Sequence, residues 1–177
     1  ILDSVGVKVA KYPYYDAVNN QLDFEKLIEC LNKIPSGDVV LLHACCHNPT
    51  GMDPSPDQWK VITDIIVKRN LIPFIDNAYQ GLANSLSEDA FAVKLMAGKV
   101  REMLIASSCS KNFGLYRDRA GTLTIVSENA KTNLHTRSHV LKIVRTMCSV
   151  PPDHGCAAVS HILNNDKLRN RWIIELN

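Results

Sequence analysis

Residues 103–114 of this chain are MLIASSCSKNFG, an apolar run followed by small hydroxyl residues and Lys111. The apolar run predicts a buried strand over residues 103–107, and the polar residues predict a turn directly after it. Arg119 follows Lys111 by eight residues. This combination can hold a phosphorylated aldehyde, because lysine amines form Schiff bases with aldehydes and the guanidinium fork of arginine binds phosphate.

Two other apolar runs of the sequence also end in polar residues. One precedes Asn48, and the other contains Asp76 near its end and is followed by Tyr79. In open α/β sheets, ligands bind outside the carboxyl ends of the strands. We therefore expect four side chains to lie near one another: Lys111, Asn48, Asp76 and Tyr79.

These polar groups match the chemistry of pyridoxal 5′-phosphate. Its aldehyde needs an amine, for which Lys111 is the candidate, and its pyridine nitrogen must stay protonated, which a carboxylate such as Asp76 favours. Tyr79 and Asn48 can each donate a hydrogen bond to the ring oxygen. A hydroxyl and a fixed cation can bind the phosphate, and two residues supply them: Ser108 and Arg119.

Each of these residues also has an ordinary structural interpretation. Lysines after strands are mostly solvated loop charges, aspartates commonly cap helices or form turns, and Asn48-Pro49-Thr50-Gly51 is a typical turn sequence. A metal site is a further alternative, but the candidate ligands do not have the usual tetrahedral spacing: His43, Cys45, Cys46 and His47. The cofactor interpretation is favoured because all three polar segments follow apolar, strand-like runs.

The same segments resemble a known family. Residues 108–121, SCSKNFGLYRDRAG, resemble the lysine-attachment signature of class I aminotransferases. Residues 43–51, HACCHNPTG, and residues 76–81, DNAYQG, are similar to the aspartate and aromatic aminotransferase branch. The three motifs occur in the family's order, and the similarity extends from about Tyr12 to the last residues.

This resemblance implies a pyridoxal phosphate-dependent transaminase that moves an amino group from aspartate or an aromatic amino acid to a 2-oxo acid such as 2-oxoglutarate. Lys111 would form the Schiff base with the cofactor and transfer the proton. The resemblance adds a contact from Asn48 to the substrate carboxylate and places His43 behind Asp76. It also implies a homodimer. Two alternatives stay open: a lyase or decarboxylase on the same fold, and a non-catalytic module derived from an aminotransferase.

Alternating strand and helix patterns predict an α/β fold. The expected class is the three-layer α/β/α large domain of a fold type I pyridoxal phosphate enzyme, with a mostly parallel sheet and one antiparallel strand. That strand is Gly121–Val126, because its connection to residue 107 contains no helix. The other strands are expected at residues 39–44, 73–78 and 103–107. Helices are expected from Asp23 to near Gly37, from Ser55, between Glu88 and Lys99, from Ser127 to Pro151, and from near Pro152 and Asp166.

Composition narrows the class of protein. The chain has 177 residues, 46% of them hydrophobic, which is enough for one core. A net charge of +2 and the lack of a basic run argue against nucleic acid as a partner. The sequence contains no apolar stretch of about 18 residues, so we expect no membrane span. Six cysteines without ligand spacing predict reduced thiols in a cytoplasmic protein.

The first and last residues are unlike those of a complete enzyme. Ile1 is not a natural start, and the sequence stops at Asn177 within a helical pattern. We expect residues 1–177 to be the central part of the cofactor-binding large domain. By the resemblance, part of the phosphate cup, the aromatic ring that stacks on the cofactor and the arginine that binds the substrate carboxylate lie elsewhere. The isolated chain is then expected to bind the cofactor weakly.

Overall fold

A four-stranded mixed sheet forms the centre of the computed structural model, which describes residues 2–176. A short two-stranded ribbon precedes it. In chain order the elements are β1 (Tyr15–Asp16), β2 (Gln21–Leu22), α1 (Phe24–Leu31), β3 (Val39–His43), α2 (Pro56–Arg69), β4 (Ile72–Asn77), α3 (Phe91–Ala97), β5 (Met103–Ser108), β6 (Gly121–Val126), α4 (Ala130–Met147), α5 (His154–Leu163) and α6 (Asp166–Leu176).

The order of strands in the sheet is β3-β4-β5-β6. The first three strands run parallel, with His43 opposite Asp76 and Asp76 opposite Ala106. β6 is antiparallel to β5 and places Gly121 opposite Ser108. The expected fold class, a mostly parallel sheet with one antiparallel strand, is confirmed. The carboxyl ends of three strands therefore lie along one edge of the sheet, where all the predicted site residues occur.

The core lies between the sheet and helices α1–α3. Alternate residues of the parallel strands point into it: Val40 and Leu42 of β3 are 2% exposed, whereas their neighbour Val39 is 57% exposed. They pack against buried side chains of α1, α2 and α3, among which are Leu27, Trp59, Ile62, Ile66 and Met96. Burying one such side chain contributes about 1.5–3 kcal/mol. The core thus fixes one face of the sheet and leaves its carboxyl edge accessible.

Helix α2 begins where its sequence predicts, directly after Ser55. Ser55 accepts a hydrogen bond from the Gln58 backbone N–H at 3.2 Å, and the Gln58 side chain accepts one from the Ser55 N–H at 2.8 Å. This is a capping box with Pro56 at the first helical position. At the other end, Asn70 adopts φ +52° and closes the helix before β4.

Two helices differ in extent from the sequence prediction. α1 ends at Leu31 instead of near Gly37, because Pro35 disfavours a helical conformation at Ile34. Ile34 still packs against the core from the loop. α4 begins at Ala130 instead of Ser127, because the Asn129 side chain accepts a hydrogen bond from the Thr132 N–H at 2.9 Å and caps the helix there.

Helix α4 contacts β6 but buries none of its residues. Its apolar side chains are exposed instead, for example Leu134 at 61% and Met147 at 80%. α5 and α6 follow and contact each other. Of the helices within residues 2–176, none has the length and apolar character that a membrane crossing requires.

Candidate active site

Lys111 lies in the turn segment that joins β5 to β6. A backbone hydrogen bond from the Gly114 N–H to the Lys111 carbonyl, 3.1 Å long, closes the tight turn after it. Gly114 has φ +66°, a conformation that favours glycine. The ends of the whole segment are joined by a bond from the Cys109 N–H to the Ala120 carbonyl at 3.0 Å. The lysine is thus held on a closed loop at the carboxyl end of a buried strand, as predicted.

Tyr79 is the predicted site residue that Lys111 contacts directly. The lysine Nζ lies 4.6 Å from the centre of the Tyr79 ring, within the range of a cation–π interaction. Tyr79 directly follows β4 in the chain, and β4 is the neighbour of β5 in the sheet. Strand order alone therefore brings these two residues together across 32 positions of sequence.

Asp76 lies on β4, next to β5. It is opposite Ala106 of β5 in the parallel register, two residues before Ser108. Since alternate residues of a strand point to the same face, Asp76, Ala106 and Ser108 belong to one face of the sheet. That face is opposite to the one that buries Ile75 and Ile105. The predicted pyridine and phosphate partners are therefore side by side.

Ser108 and Arg119 are brought close by the β5–β6 pairing. Ser108 is opposite Gly121, and Arg119 lies two residues before that glycine. The Ser108 hydroxyl accepts a hydrogen bond from the Ser110 N–H at 3.1 Å. Arg119 is exposed, adopts φ +53° and donates from Nη1 to the Tyr116 carbonyl at 2.8 Å. Among the described residues no hydrogen bond joins Arg119 to Ser108, so the shared phosphate role stays a prediction.

Asn48 lies on the loop after β3, and a carboxylate that sequence reasoning missed holds this loop. Asp53 accepts hydrogen bonds from the Cys46 and His47 N–H groups at 2.6 and 2.8 Å. Cys46 has φ +49°, a costly conformation for a residue with a Cβ atom. The preference of aspartate for turns was the available signal for Asp53. Within residues 2–176, no hydrogen bond joins the exposed Asn48 side chain to Tyr79 or Asp76.

His43 connects this loop to the sheet. Its Nδ1 accepts a hydrogen bond from the Asn48 N–H at 3.2 Å, which assigns the ring proton to Nε2 when the ring is neutral. His43 is opposite Asp76 in the register of β3 and β4. The backbone of His43 therefore lies next to that of Asp76, while its side chain binds the Asn48 loop, and the expected position of the ring behind the Asp76 carboxylate stays a prediction.

His47 is packed between two rings. It stacks on Tyr14 at 3.9 Å between centroids and lies 4.6 Å from His43. Burial and the nearby His43 lower the pKa of His47 below 6.5. Burial, with Asp53 as a smaller cause, raises the pKa of the Tyr14 hydroxyl. The His47 and Tyr14 rings therefore stay neutral at neutral pH, and their stacking supports the loop.

The segment after Tyr79 is held by Asp89, another residue that sequence reasoning missed. Asp89 is 4% exposed and accepts hydrogen bonds from three backbone N–H groups, those of Gly81 at 2.8 Å, Ala83 at 3.1 Å and Asn84 at 3.0 Å. A buried carboxylate with three donors is a stable arrangement. No sequence pattern indicated Asp89, because its partners are backbone groups of a loop without regular structure.

The polar side chains at this edge form a set with unused hydrogen-bonding capacity. Within residues 2–176, no hydrogen bond or ion pair involves the side-chain polar atoms of Lys111, Asp76 or Tyr79. An amine, a carboxylate and a phenol at the carboxyl ends of neighbouring strands, with no hydrogen bond to their polar atoms, fit a ligand carrying an aldehyde, a basic ring nitrogen and a ring hydroxyl. The residues present therefore fit pyridoxal phosphate.

The cysteines around the site have protonated, weakly nucleophilic thiols. Burial raises the pKa of the Cys45, Cys46 and Cys109 thiols, so they stay protonated near neutral pH. Cys109 separates Ser108 from Ser110 in the lysine turn. Across residues 2–176, no group of three histidine, cysteine or acidic side chains is arranged to bind a metal ion.

Comparison with known proteins identifies a family that matches this chain. The family model "Aminotransferase class I and II" matches residues 1–177. Over 169 residues the chain is 50% identical to an aromatic-amino-acid aminotransferase of Pseudomonas aeruginosa, covering 96% of this chain and 42% of that protein. It is 48% identical to an aspartate aminotransferase of Haemophilus influenzae, covering 99% of this chain and 44% of that protein.

A solved structure agrees with these sequence matches. An aromatic-amino-acid aminotransferase from Burkholderia pseudomallei, described as covalently bound to pyridoxal phosphate, superposes with a TM-score of 0.95 at 41% identity. The match covers 98% of this chain and 44% of that structure. The chain belongs to the class I and II aminotransferase family. It spans less than half the length of the relatives that it matches.

Proposed function

We propose that this chain supplies the cofactor-anchoring part of a pyridoxal phosphate-dependent transaminase. The observation that carries the proposal is the lysine Nζ 4.6 Å above the Tyr79 ring, on a loop beside Asp76 at the carboxyl ends of β4 and β5. Membership of the aminotransferase family supports it. Residues 1–177 would form the central part of the cofactor-binding large domain.

The proposed role of each site residue follows from the chemistry of its side chain. When bound, pyridoxal phosphate supplies an aldehyde for covalent attachment and a ring that withdraws electrons from the substrate Cα. Lys111 would hold the cofactor and move a proton with its Nζ. Asp76 would keep a proton on the ring nitrogen, while Tyr79 and Asn48 would donate hydrogen bonds to the ring oxygen. The phosphate would bind two residues: Ser108 and Arg119.

The proposed substrates are amino acids and 2-oxo acids. Relatives named for aspartate and for aromatic amino acids match at similar identity, so the proposed donor is aspartate or an aromatic amino acid. Asn48 would also bind the substrate carboxylate. Rates for aspartate and for phenylalanine with 2-oxoglutarate, measured on the full-length protein, decide between these donors. Release of ammonia or carbon dioxide without a new amino acid would instead favour a lyase or decarboxylase.

Two further proposals concern the whole protein. A homodimer is supported by the exposed apolar side chains of α4 and β6, such as Leu141 at 55% and Leu123 at 45%, which a partner or the remaining chain can cover. Light scattering of the full-length protein tests it. A cytoplasmic location is supported by the six cysteines, all unpaired in the structure. Cell fractionation tests that location.

Borohydride reduction tests the anchor. Reduction of the full-length protein in the presence of pyridoxal phosphate, followed by peptide mapping, is expected to place the label on Lys111. Lys111→Ala is expected to lose the label and to lower kcat by about 100-fold or more, as removal of a general acid–base group does. Lys131→Arg, at an exposed lysine of α4, is the matched control and should keep both. A label at another residue in the unaltered protein would contradict the proposal.

A further inference from the structure

Helix α6 reaches the lysine turn from far along the chain. The Trp172 indole N–H donates a hydrogen bond to the Asn112 carbonyl at 2.7 Å. The Trp172 ring also stacks on Phe113, with 4.2 Å between centroids and 10° between planes. Asn112 and Phe113 are the two residues that follow Lys111. The Trp172 side chain therefore holds the backbone of Asn112 and the ring of Phe113, directly after the lysine.

Asn112 connects the lysine turn to the segment that carries Tyr79. Its side-chain amide donates to the Gln80 carbonyl at 3.1 Å. Gln80 is the neighbour of Tyr79, and its own side chain is fixed by a bond from Asn77 at 2.8 Å and a bond to the Leu86 carbonyl at 2.9 Å. The residues adjacent to Lys111 and to Tyr79 are thus bonded to each other, in addition to the contact between the Lys111 and Tyr79 side chains.

Helix α6 also touches the second of these segments. A Cβ atom added to Gly81 would lie 2.5 Å from the Leu176 side chain, so the helix packs directly on the backbone there. Gly81 is in turn bonded through its N–H to Asp89. Trp172 and Leu176 are four residues apart and lie on one face of the helix. The same face of α6 therefore contacts both segments that bear the lysine and the tyrosine.

Lysine needs such support because its side chain has four rotatable bonds and the turn beneath it belongs to neither strand nor helix. The turn itself contributes two backbone hydrogen bonds, from the Gly114 N–H to the Lys111 carbonyl at 3.1 Å and from the Leu115 N–H to the Cys109 carbonyl at 3.4 Å. A catalytic amine must be held within about 0.5 Å of its productive position. The hydrogen bonds that Asn112 makes with Gln80 and with Trp172 restrict the backbone from which the Lys111 side chain extends.

We propose that Asn112 and Trp172 are positioning residues that hold the Lys111 amine over the Tyr79 ring. This inference rests on the proposed function for its catalytic meaning, since it assigns the two residues to the same site. The geometric part is independent of any reaction: without these bonds the lysine turn moves relative to Tyr79, and the amine becomes more accessible to solvent.

The first test measures accessibility and uses no cofactor. The full-length protein, freed of cofactor, is acetylated with a limiting amount of acetic anhydride, and the rate at Lys111 is compared by mass spectrometry with the rate at the exposed Lys131. Trp172→Phe keeps the ring stack and deletes the indole donor, and Asn112→Ala deletes the amide donor. Each is expected to raise the relative rate at Lys111 about fivefold, the equivalent of one net hydrogen bond.

Trp59→Phe is the matched control. Trp59 is 4% exposed in the core between α2 and the sheet, so the change perturbs packing without touching the lysine turn. It is expected to lower the melting temperature and to leave the relative rate at Lys111 unchanged. An equal rise in Trp59→Phe, or no rise in both Trp172→Phe and Asn112→Ala, would overturn the proposal.

The second test uses the cofactor-loaded protein. Trp172→Phe is expected to lower kcat about fivefold, with KM for the amino acid changed less than about twofold, because the amine moves and the substrate contacts do not. A change confined to KM would contradict a positioning role. If the unaltered protein does not transaminate, the proposed function fails, whereas the acetylation result still decides whether the two residues hold the lysine.

Discussion

At the scale of single residues, the site depends on carboxylates that bind backbone N–H groups. Asp53 holds the loop of Asn48, and Asp89 holds the loop after Tyr79. Neither carboxylate is itself a predicted cofactor ligand. Both fix loops that carry predicted ligands, because irregular backbone has no regular partners and its N–H groups need acceptors.

Asp53→Ala is expected to destabilise the full-length protein by about 1 kcal/mol. It removes two short charge-assisted hydrogen bonds, but Asp53 is exposed, so water replaces part of what is lost. Chemical denaturation measures the change. Asp38→Ala is the matched control, because Asp38 is exposed and its carboxylate makes no hydrogen bond or ion pair within residues 2–176. Equal effects of the two substitutions would show that the backbone bonds of Asp53 do not matter.

His47 is expected to make stability depend on pH. Burial and His43 lower its pKa in the folded protein below the ordinary value of 6.5, so the unfolded chain binds the proton more readily. Its contribution is fully present above pH 6.5 and decreases as the pH falls from there toward the lowered folded value. Melting temperatures at about pH 7.5 and about pH 5.5 measure this decrease.

The variant His47→Gln removes the titrating group. It is expected to show a smaller drop in melting temperature between those two pH values than the unaltered protein. His139→Gln, at an exposed position of α4, serves as the control and should leave the drop unchanged. An undiminished drop in His47→Gln would mean that other groups cause it.

At the scale of elements, the end of β5 requires a glycine on its partner strand. A Cβ atom added to Gly121 would lie 2.6 Å from the Ser107 carbonyl oxygen, closer than real atoms approach. β6 therefore pairs with β5 beside Ser108 only because residue 121 has no side chain. The pairing sets where Ser108 and Arg119 lie relative to each other.

Gly121→Ala is expected to destabilise the protein by about 1–3 kcal/mol, as overpacking typically does. It is also expected to weaken pyridoxal phosphate binding, measured by titration of the full-length protein. Gly98→Ala is the matched control, since the nearest backbone atom to its added Cβ would be 3.6 Å away and its conformation is ordinary. It is expected to be neutral or slightly stabilising. Similar losses in both variants would argue against the close approach at Gly121.

The capping box of α2 gives a second prediction at this scale. Ser55→Ala removes the acceptor for the Gln58 N–H and is expected to cost about 1 kcal/mol of unfolding free energy. Ser138→Ala in α4 is the control, because that hydroxyl donates back to the His135 carbonyl within the helix, and its loss is close to neutral. Denaturant unfolding measures both. A cost for Ser138→Ala as large as for Ser55→Ala would contradict the capping role.

At the scale of the whole molecule, apolar surface remains exposed on α4. Leu134, Ile143 and Met147 are 61%, 57% and 80% exposed. A large exposed apolar patch on a protein typically marks an interaction surface. The chain also spans less than half the length of its relatives. Both observations lead us to expect that residues outside 1–177, or a second subunit, cover this helix.

Expressed by itself, the 177-residue chain is expected to bind pyridoxal phosphate weakly, because it holds the anchor without the whole surrounding shell. A titration followed by visible absorbance measures this against the full-length protein. Lys111→Ala in the same chain controls for attachment to other lysines. A tight absorbance band in the isolated chain that disappears in Lys111→Ala would contradict the expectation.

Local signals in the sequence determined the strands, their directions and the candidate residues at their ends. Alternation identified β6, and the lack of a helix before it predicted the antiparallel pairing that the register confirms. The Ser55 capping box fixed the start of α2. These features depend on neighbouring residues, so a single sequence suffices to read them. Two helix ends differ from the prediction, the end of α1 and the start of α4.

Only the tertiary structure decided what holds the lysine in place. Trp172 and Asn112 are 60 residues apart, and their hydrogen bond exists because α6 packs across two loops. The three backbone bonds to Asp89 likewise depend on how one loop closes over a buried carboxylate. Sequence periodicity carries no information about such contacts, because they arise from the packing of whole elements and not from the spacing of residues along the chain.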